Sequence, residues 1–298
     1  MGCEPGKRER DNLRKLLDIA RDEDLGPGDV TGSVLPKGAA ARAEFVARHE
    51  MVLCGGALLV EIATAYSASV TVEPQAEEGG TAGEGDVLAV CQGPGRALMA
   101  MERVALNFLQ RLSGIATLTR RYVEAVEGTN AVICDTRKTT PGWRTLEKYA
   151  VRCGGGCNHR MGLYDAVLVK DNHLAMLAAA DPDMTLSRLG DRLTEARSRL
   201  GEGGFIEVEV DTLDQLREAL ELPVDVILLD NMGPDELRQA MEIRRQAGRD
   251  GDVALEASGR ITLANVRAAA ETGVDRIAIG ALTHSAPAAD IALELAIS

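Results

Sequence analysis

The chain has 298 residues, 45% apolar and 27% charged, with a formal net charge of −13. That length suits one large domain or two modest ones with a real core. The acidity argues against a protein built to hold a nucleic-acid backbone or an anionic membrane surface, and apolar runs such as Val167–Val169 and Val226–Leu229 fall far short of a membrane span.

The chain begins MGCEPGKRERDN, which has no apolar signal core, and Gly6 breaks the myristoylation pattern, so a cytoplasmic protein is expected. Six cysteines in this length do not make a disulfide framework. Cys54, Cys91 and Cys134 read as small core residues and Cys3 as an exposed thiol.

A polar helix is predicted over Lys7–Glu23, followed by the turn-rich GPGDVTGS. Alternation predicts strands at Ala41–His49 and Met51–Cys54. Gly55–Tyr66 reads as a helix, and Val70–Glu73 and Asp86–Gln92 read as strands. In Arg96–Leu112 the residues Leu98, Met101, Val104, Ala105, Phe108, Leu109 and Leu112 recur at helical spacing. This half is α+β.

Farther on the pattern changes. The β-type runs AVICDT, DAVLVK, FIEVEV, DVILLD, DVALEAS and VDRIAIG follow one another. Amphipathic segments at Leu186–Leu200, Leu213–Leu220, Pro234–Gln246 and Leu263–Glu271 lie between the later ones. Such alternation implies a parallel sheet, either open or closed toward a barrel. Every run ends on a polar residue or glycine: Asp135 with Arg137 and Lys138, Lys170, Glu209, Asp230, Ser258 with Gly259, and Gly280. In an α/β barrel those ends converge on the mouth where chemistry is done, so the barrel is the expected architecture.

Charge concentrates in one stretch. From Asp135 to His173 there are seven Lys and Arg against four acids, a net +3, which leaves −16 elsewhere. A basic island on an acidic protein points to a small anionic ligand. Within it, DTRKTTPG sets Arg137 and Lys138 beside the hydroxyls of Thr136, Thr139 and Thr140; Arg forks onto carboxylate or phosphate and Lys acts as a point charge. VRCGGGCNHRMG brings Cys153, Cys157 and His159 close in sequence, with His173 as a possible fourth ligand. Zinc prefers two separated ligand pairs, and Arg160 would oppose a metal. The three glycines are read instead as an anion-wrapping loop, and no tightly bound zinc is expected. Lys170 could act by charge or form a Schiff base, as in barrel lyases. Glu209 and Asp230 could ligate Mg²⁺, recognise ribose hydroxyls, or pair with the bases. EASGRIT and AIGALTHS are glycine-containing loops where barrel enzymes hold phosphate.

DTRKTTPG, EKYAVRCGGGCNHRMGLYDAVLVKDNH, EVEVD, LLDN, EASGRI and GALTHS, with ERVALNFLQRLSGIAT earlier, resemble the quinolinate phosphoribosyltransferase family. The likeness runs over essentially the whole chain, and the long central block is highly specific. It implies an N-terminal α/β sandwich domain over residues 1–112 and an incomplete parallel α/β barrel over 113–285, with the segment 286–298 packing back on the first domain. It implies a homodimer with shared active sites, quinolinate and phosphoribosyl pyrophosphate as substrates, and Mg²⁺. By resemblance, Arg103 reaches the partner subunit's site. Thr136, Arg137, Lys138, His159, Arg160 and Lys170 line the quinolinate pocket and part of the phosphate site. Glu209 and Asp230 face ribose and metal, and Lys138, Lys170, Glu209 and Asp230 are the expected catalytic set. Ser258, Gly259, Arg260, Ile279, Gly280 and Ala281 hold the 5-phosphate, and His284 lies in the same loop. Cys157 stands where the family varies. A paralogous family of molybdenum-transport operons shares DTRKT and the glycines; the intact NHRMGLYDAVLVKDNH favours the quinolinate enzyme.

Overall fold

The computed structural model describes residues 3–181 and 185–296. The initial Met-Gly and the last two residues of the C-terminal segment fall outside them. The chain divides into two compact units, one of Met1–Arg120, Lys138–Gly156 and Ala281–Ser298, the other of Arg121–Arg137 and Cys157–Gly280. Both changes of unit near the centre fall inside the basic stretch. The boundary expected at residues 112/113 lies within a helix.

In the first unit, helix α1 spans Lys7–Leu25. Strands β1 (Ala40–Ala47) and β2 (Met51–Val52) precede helix α2 (Leu59–Tyr66). Strands β3 (Thr71–Pro74), β4 (Thr81–Ala82) and β5 (Val87–Pro94) lead into the 31-residue helix α3 (Gly95–Ala125). Farther along the chain, helix α4 (Arg144–Cys153), the short helix α10 (Ala281–His284) and strand β12 (Ile291–Ala296) belong to the same unit. The main sheet is antiparallel, in the order β12-β1-β5-β3, with Phe45 of β1 opposite Leu293 on one side and Ala89 on the other. Leu98, Met101, Ala105, Leu109 and Leu112 form the buried stripe of α3.

That helix does not stop at Leu112. Ser113 and Gly114 look like a terminator in sequence, but each is a place of close approach. The Ser113 hydroxyl accepts from the N–H of Cys54 at 3.0 Å, and a Cβ on Gly114 would lie 2.0 Å from the carbonyl oxygen of Pro287. Tertiary packing overrides the local break.

In the second unit, strands β6 (Val132–Cys134), β7 (Val167–Val169), β8 (Ile206–Val210), β9 (Val226–Asp230), β10 (Ala254–Ser258) and β11 (Arg276–Ala278) form one parallel sheet. Helices α5 (Asp171–Ala180), α6 (Gly190–Arg197), α7 (Leu213–Ala219), α8 (Pro234–Gln246) and α9 (Val266–Ala270) connect the strands. The order β6-β11-β10-β9-β8-β7 explains the fold class. Every strand from β7 to β10 pairs with its successor, and β11, the last of the sheet, pairs with β6, the first. A doubly wound sheet would reverse direction at a central switch point. Here the order is that of a barrel with the β6–β7 seam unpaired. On its free side β6 bonds the chain after the glycine loop: Cys157 N–H donates to Ile133 (2.8 Å) and Asp135 N–H to Cys157 (3.1 Å). No described helix is long and apolar enough to cross a membrane.

Candidate active site

Strand register decides which side chains share a face. Paired residues and residues two apart along a strand point the same way. Leu168 is paired with Glu207, Glu209 with Leu228, Glu256 with Leu228 and with Arg276, and Ser258 with Asp230. One face therefore carries two tiers. An upper tier at the C-terminal ends holds Lys170, Glu209, Asp230 and Ser258. A tier one step below holds Leu168, Glu207, Leu228, Glu256 and Arg276.

The upper tier contains four sequence-predicted residues. Lys170 forms an ion pair with Glu209, and its own N–H donates to Nδ1 of His173 at 3.0 Å, at the start of α5. A Schiff-base lysine needs an apolar setting or a neighbouring cation to shed its proton. Lys170 is half-exposed and paired with a carboxylate instead, a setting that does not favour the lyase reading. Asp230 accepts from the side-chain amide of Asn231 at 2.5 Å. Asn231 has φ 56° and Arg260 has φ 51°, a left-handed conformation uncommon for either residue. The loops carrying them are bonded together, with the Asn231 N–H donating to Ser258 at 2.9 Å. A Cβ at Gly259 would stand 2.3 Å from the Asn231 side-chain oxygen, so only glycine fits. Asn265 secures the same loop, donating to Arg260 at 3.1 Å and accepting from Thr262 N–H at 2.7 Å. At the end of β11, Ile279 is buried and its N–H is committed to Cys134 at 2.9 Å. Gly280 follows it and closes the second unit's contribution to that loop.

The lower tier is charged where barrel interiors are ordinarily filled with branched apolar side chains. Glu207 and Glu256 are fully buried. His159 Nε2 lies 2.8 Å from Glu207 and 3.5 Å from Glu256, and Arg276 Nε lies 2.8 Å from Glu256. Burial pushes the Glu207 carboxyl up to about 7. Burial, with Glu207 opposite, does the same to Glu256. The ring of His159 is T-shaped against Phe205, and the guanidinium of Arg276 lies over that same ring at 5.5 Å. His159 is thus held from below, and its Nδ1 accepts from the N–H of Arg160 at 2.7 Å.

Asp135 and Asp165 build the segment that carries His159 and Arg160. Buried Asp135 accepts from the Asn158 amide at 2.6 Å and from the His159 N–H at 2.9 Å. Asp165 accepts from the N–H groups of Met161 (2.7 Å) and Gly162 (2.8 Å). Arg160 is buried, with one N–H on the carbonyl of Ala166 at 3.1 Å. Thr136 and Arg137 follow Asp135 and are half-buried.

The first unit carries Arg103, Lys138, Ala281 and His284. Arg103 and Lys138 are exposed, Arg103 between buried Met101 and Val104 on α3. Fully buried Glu147 orders the loop after Lys138, accepting from the Thr140 N–H (3.1 Å) and hydroxyl (2.9 Å) and pairing with Arg111 at 2.7 Å. The Thr283 hydroxyl donates to the Lys138 carbonyl at 2.7 Å. His284 is exposed, with Nδ1 2.7 Å from the Ser285 hydroxyl.

The glycine loop corrects one expectation. The N–H groups of Gly154, Gly155 and Gly156 donate to Ala150, Arg152 and Val151 at the end of α4. None of the three is left to wrap an anion. The glycines serve close packing: a Cβ at Gly154 would lie 2.4 Å from the Ala116 carbonyl, and one at Gly156 would lie 2.8 Å from the Thr119 methyl. Nor do Cys153, Cys157 and His159 form a metal-binding group among the described residues. Cys157 is exposed, Cys153 faces other cysteines, and His159 faces Glu207.

Sequence reasoning missed Glu207, Glu256, Arg276, Glu147 and Arg111. The available signal was an acid in the middle of an apolar strand, as in IEVEV and ALEAS, where burial demands a partner.

Models of the quinolinate phosphoribosyl transferase family match both parts of the chain, the N-terminal domain over residues 29–113 and the C-terminal domain over 115–294. The chain is 41% identical over 286 residues to a probable nicotinate-nucleotide pyrophosphorylase (carboxylating) of Bacillus subtilis, covering 96% of this chain and 94% of that protein. It is also 41% identical to the nicotinate-nucleotide pyrophosphorylase (carboxylating) of Mycobacterium leprae, covering 96% of each. The solved nicotinate-nucleotide pyrophosphorylase of Francisella tularensis superposes with a TM-score of 0.87 at 33% identity, covering 96% of this chain and 97% of that one. With both domain models matched in order and a mouth of paired charges on the barrel, the chain belongs to the quinolinate phosphoribosyl transferase family and is a pentosyltransferase of the carboxylating nicotinate-nucleotide pyrophosphorylase type.

Proposed function

We propose that the chain joins quinolinate to the ribosyl C1 of phosphoribosyl pyrophosphate, releasing pyrophosphate and CO₂ and forming nicotinate mononucleotide for NAD biosynthesis. The observation that carries this reading is the upper tier, acids and a lysine at adjacent strand ends, in a chain 41% identical to named members. Arg137, Arg160 and Lys170 pair with the two carboxylates of quinolinate and turn its ring nitrogen toward C1. His159, fixed by Glu207, forms part of that wall. As the C1–O bond to pyrophosphate breaks, positive charge develops on the sugar, and Glu209 and Asp230 lie where carboxylates stabilise it and bond ribose hydroxyls. Ser258, Gly259, Arg260, Gly280 and Ala281 receive the 5-phosphate. Once the ring nitrogen is quaternised, the adjacent carboxylate leaves as CO₂. Its electron pair stays on carbon beside the cationic nitrogen, and a proton then replaces it. No protein nucleophile is required, so Lys138 and Lys170 act by charge.

Glu209 and Asp230 supply hard oxygen donors on one face of adjacent strands, the donor type that suits Mg²⁺. When bound, that ion would neutralise the pyrophosphate leaving group. The six cysteines are all free, which suits a reducing cytoplasm. A coupled assay for nicotinate mononucleotide tests the activity. Product formed only with both quinolinate and phosphoribosyl pyrophosphate supports it, and no product with active, magnesium-supplied protein overturns it.

The enzyme works as a homodimer with shared sites, and exposed Arg103 is the residue that crosses. Arg103→Ala and Lys138→Ala dimers should each be nearly inactive. Mixed after verified subunit exchange, half the dimers carry one intact site, so activity should return to about a quarter of wild type. No recovery means that Arg103 serves its own chain's site or none.

A further inference from the structure

Three thiols and one carboxylate converge in the first unit, and none of them belongs to the residues assigned to substrate. Cys54 follows β2, Glu78 lies in the turn before β4, Cys153 is the last residue of α4, and Cys3 precedes α1. Ligand atoms of Cys54, Glu78 and Cys153 all lie within 4.8 Å of one another. The Cys153 thiol donates to the Cys3 carbonyl at 3.9 Å, which brings Cys3 beside the group of three. Cys54 and Cys153 are buried, and Cys3 is half-buried rather than exposed as its sequence position suggested. We propose that Cys3, Cys54, Cys153 and Glu78 form a binding site for one thiophilic divalent cation, zinc before others.

The donor set is three sulfurs and one carboxylate oxygen, four ligands of the kinds a closed structural zinc site uses. Zn–S bonds of about 2.3 Å place two sulfurs of a tetrahedral site about 3.7 Å apart. The Cys54 and Cys153 sulfurs, already within 4.8 Å of each other, need little movement to reach that spacing, and rotation of the Cys3 side chain would bring in the third. The supporting contacts are those of a held ligand rather than a loose surface acid. Glu78 Oε1 accepts from the Gly55 N–H and from the Tyr149 hydroxyl at 2.7 Å, and Oε2 accepts from the Ala57 N–H alone, which leaves Oε2 a further lone pair. Tyr149 also donates to the Cys3 carbonyl at 3.0 Å, which ties the residue ahead of α1 to the cluster.

Three thiolates and a carboxylate would overbalance a divalent ion by two charges. Arg120 lies against the cluster's backbone, donating to the carbonyls of Gly154 (3.0 Å), Gly79 (3.3 Å) and Cys153 (3.4 Å). Arg152 is electrostatically coupled to Cys3 and Cys153. Without metal, burial pushes the Cys54 thiol up to about 12, so the bare cluster is protonated and metal uptake releases protons. The sequence led to an expectation of no tightly bound zinc, reached by weighing Cys153 with Cys157 and His159 alone, and this proposal departs from it. This set takes its ligands from four distant stretches of chain, and sequence spacing could not reveal it.

The test uses full-length protein, purified reduced, with zinc measured by elemental analysis and cobalt(II) substituted as a spectroscopic probe. We expect one metal per chain, a sulfur-to-cobalt charge-transfer band that zinc abolishes and magnesium does not, and a rise in melting temperature on zinc addition. Cys3→Ser, at the half-buried position, should fold normally and weaken binding by at least the roughly 10-fold that losing a mere supporting hydrogen bond costs a metal site. Cys153→Ser should remove the band, while Cys157→Ala should leave it unchanged. A stoichiometric cobalt titration without the band overturns the proposal. So does a band lost with Cys157→Ala but kept with Cys3→Ser, or a Cys3–Cys153 disulfide in freshly purified protein.

Discussion

The two units each contain a buried group of side chains of metal-binding type, and the two groups differ in what answers their charge. In the second unit, Glu256 already lies in ion-pair distance of the guanidinium of Arg276, and Glu207 of the imidazole of His159. In the first, the partners of Glu78 are two backbone N–H groups and a phenol, and the Cys153 thiol donates to the Cys3 carbonyl. A group with a built-in cation has its charge balanced by protein and protons. A group whose partners are all neutral still has room for an ion. The same residue types therefore lead to different chemistry: one holds a histidine, the other is suited to hold a metal.

Removing Arg276 should have the largest effect. Arg276→Met strips Glu256 of its cation and leaves two buried carboxylates facing each other. Breaking a buried ion pair by deleting one partner costs about 3–5 kcal/mol. Urea unfolding at pH 8 should show a loss of that order, and adding Glu256→Gln to the variant should restore part of it. A loss below about 1 kcal/mol with no rescue would mean that the guanidinium does not balance this cluster, and the contrast between the two units would collapse.

The strand-end tier was legible in sequence because each β-type run stops on a polar residue, so Lys170, Glu209, Asp230 and Ser258 follow from where hydrophobicity ends. The lower tier was not legible. Glu207 in IEVEV looks like ordinary alternation toward solvent, and only closure of the sheet turns that face inward. The glycine loop misled for a related reason. Glycine permits both anion contact and helix packing, and only Ala116 and Thr119, more than thirty residues earlier, decide between them. Helices α4 and α5 were missed because they adjoin the motif-rich loops that drew attention as chemistry. Helix α3 was cut short at Ser113, whose partner Cys54 is distant in sequence.

A smaller effect concerns pH. Glu256 is faced by Glu207, His159 and Arg276, and its folded-state carboxyl is raised to about 7 from the ordinary 4.5. The folded state thus favours the protonated form. The resulting stabilisation is whole below about pH 4.5 and is lost as pH rises through about 7. Glu256→Gln is neutral at every pH. Relative to wild type it should therefore gain about 1–3 kcal/mol of stability between pH 5 and pH 8. Parallel stability curves for the two proteins over that range would show that Arg276 fully offsets burial and that the cluster holds no extra proton.

The smallest expected effect belongs to Cys157, and its smallness is informative. It lies four residues from Cys153 and two from His159, one residue from each group, yet it is exposed and joins neither. Its backbone bonds the free edge of β6, and that contact does not depend on the side chain. Cys157→Ala should change stability by less than about 0.5 kcal/mol, as exposed substitutions commonly do. It should leave nicotinate mononucleotide formation and cobalt binding as in wild type. Were activity and metal to fall together, Cys157 would link the two groups, and the sequence trio of Cys153, Cys157 and His159 would have to be restored as one site. Were activity alone to fall, the edge of β6 would matter to the placement of His159 through the side chain as well as the backbone. An unchanged enzyme leaves the two buried groups with separate tasks on either side of a five-residue stretch of chain, 154–158.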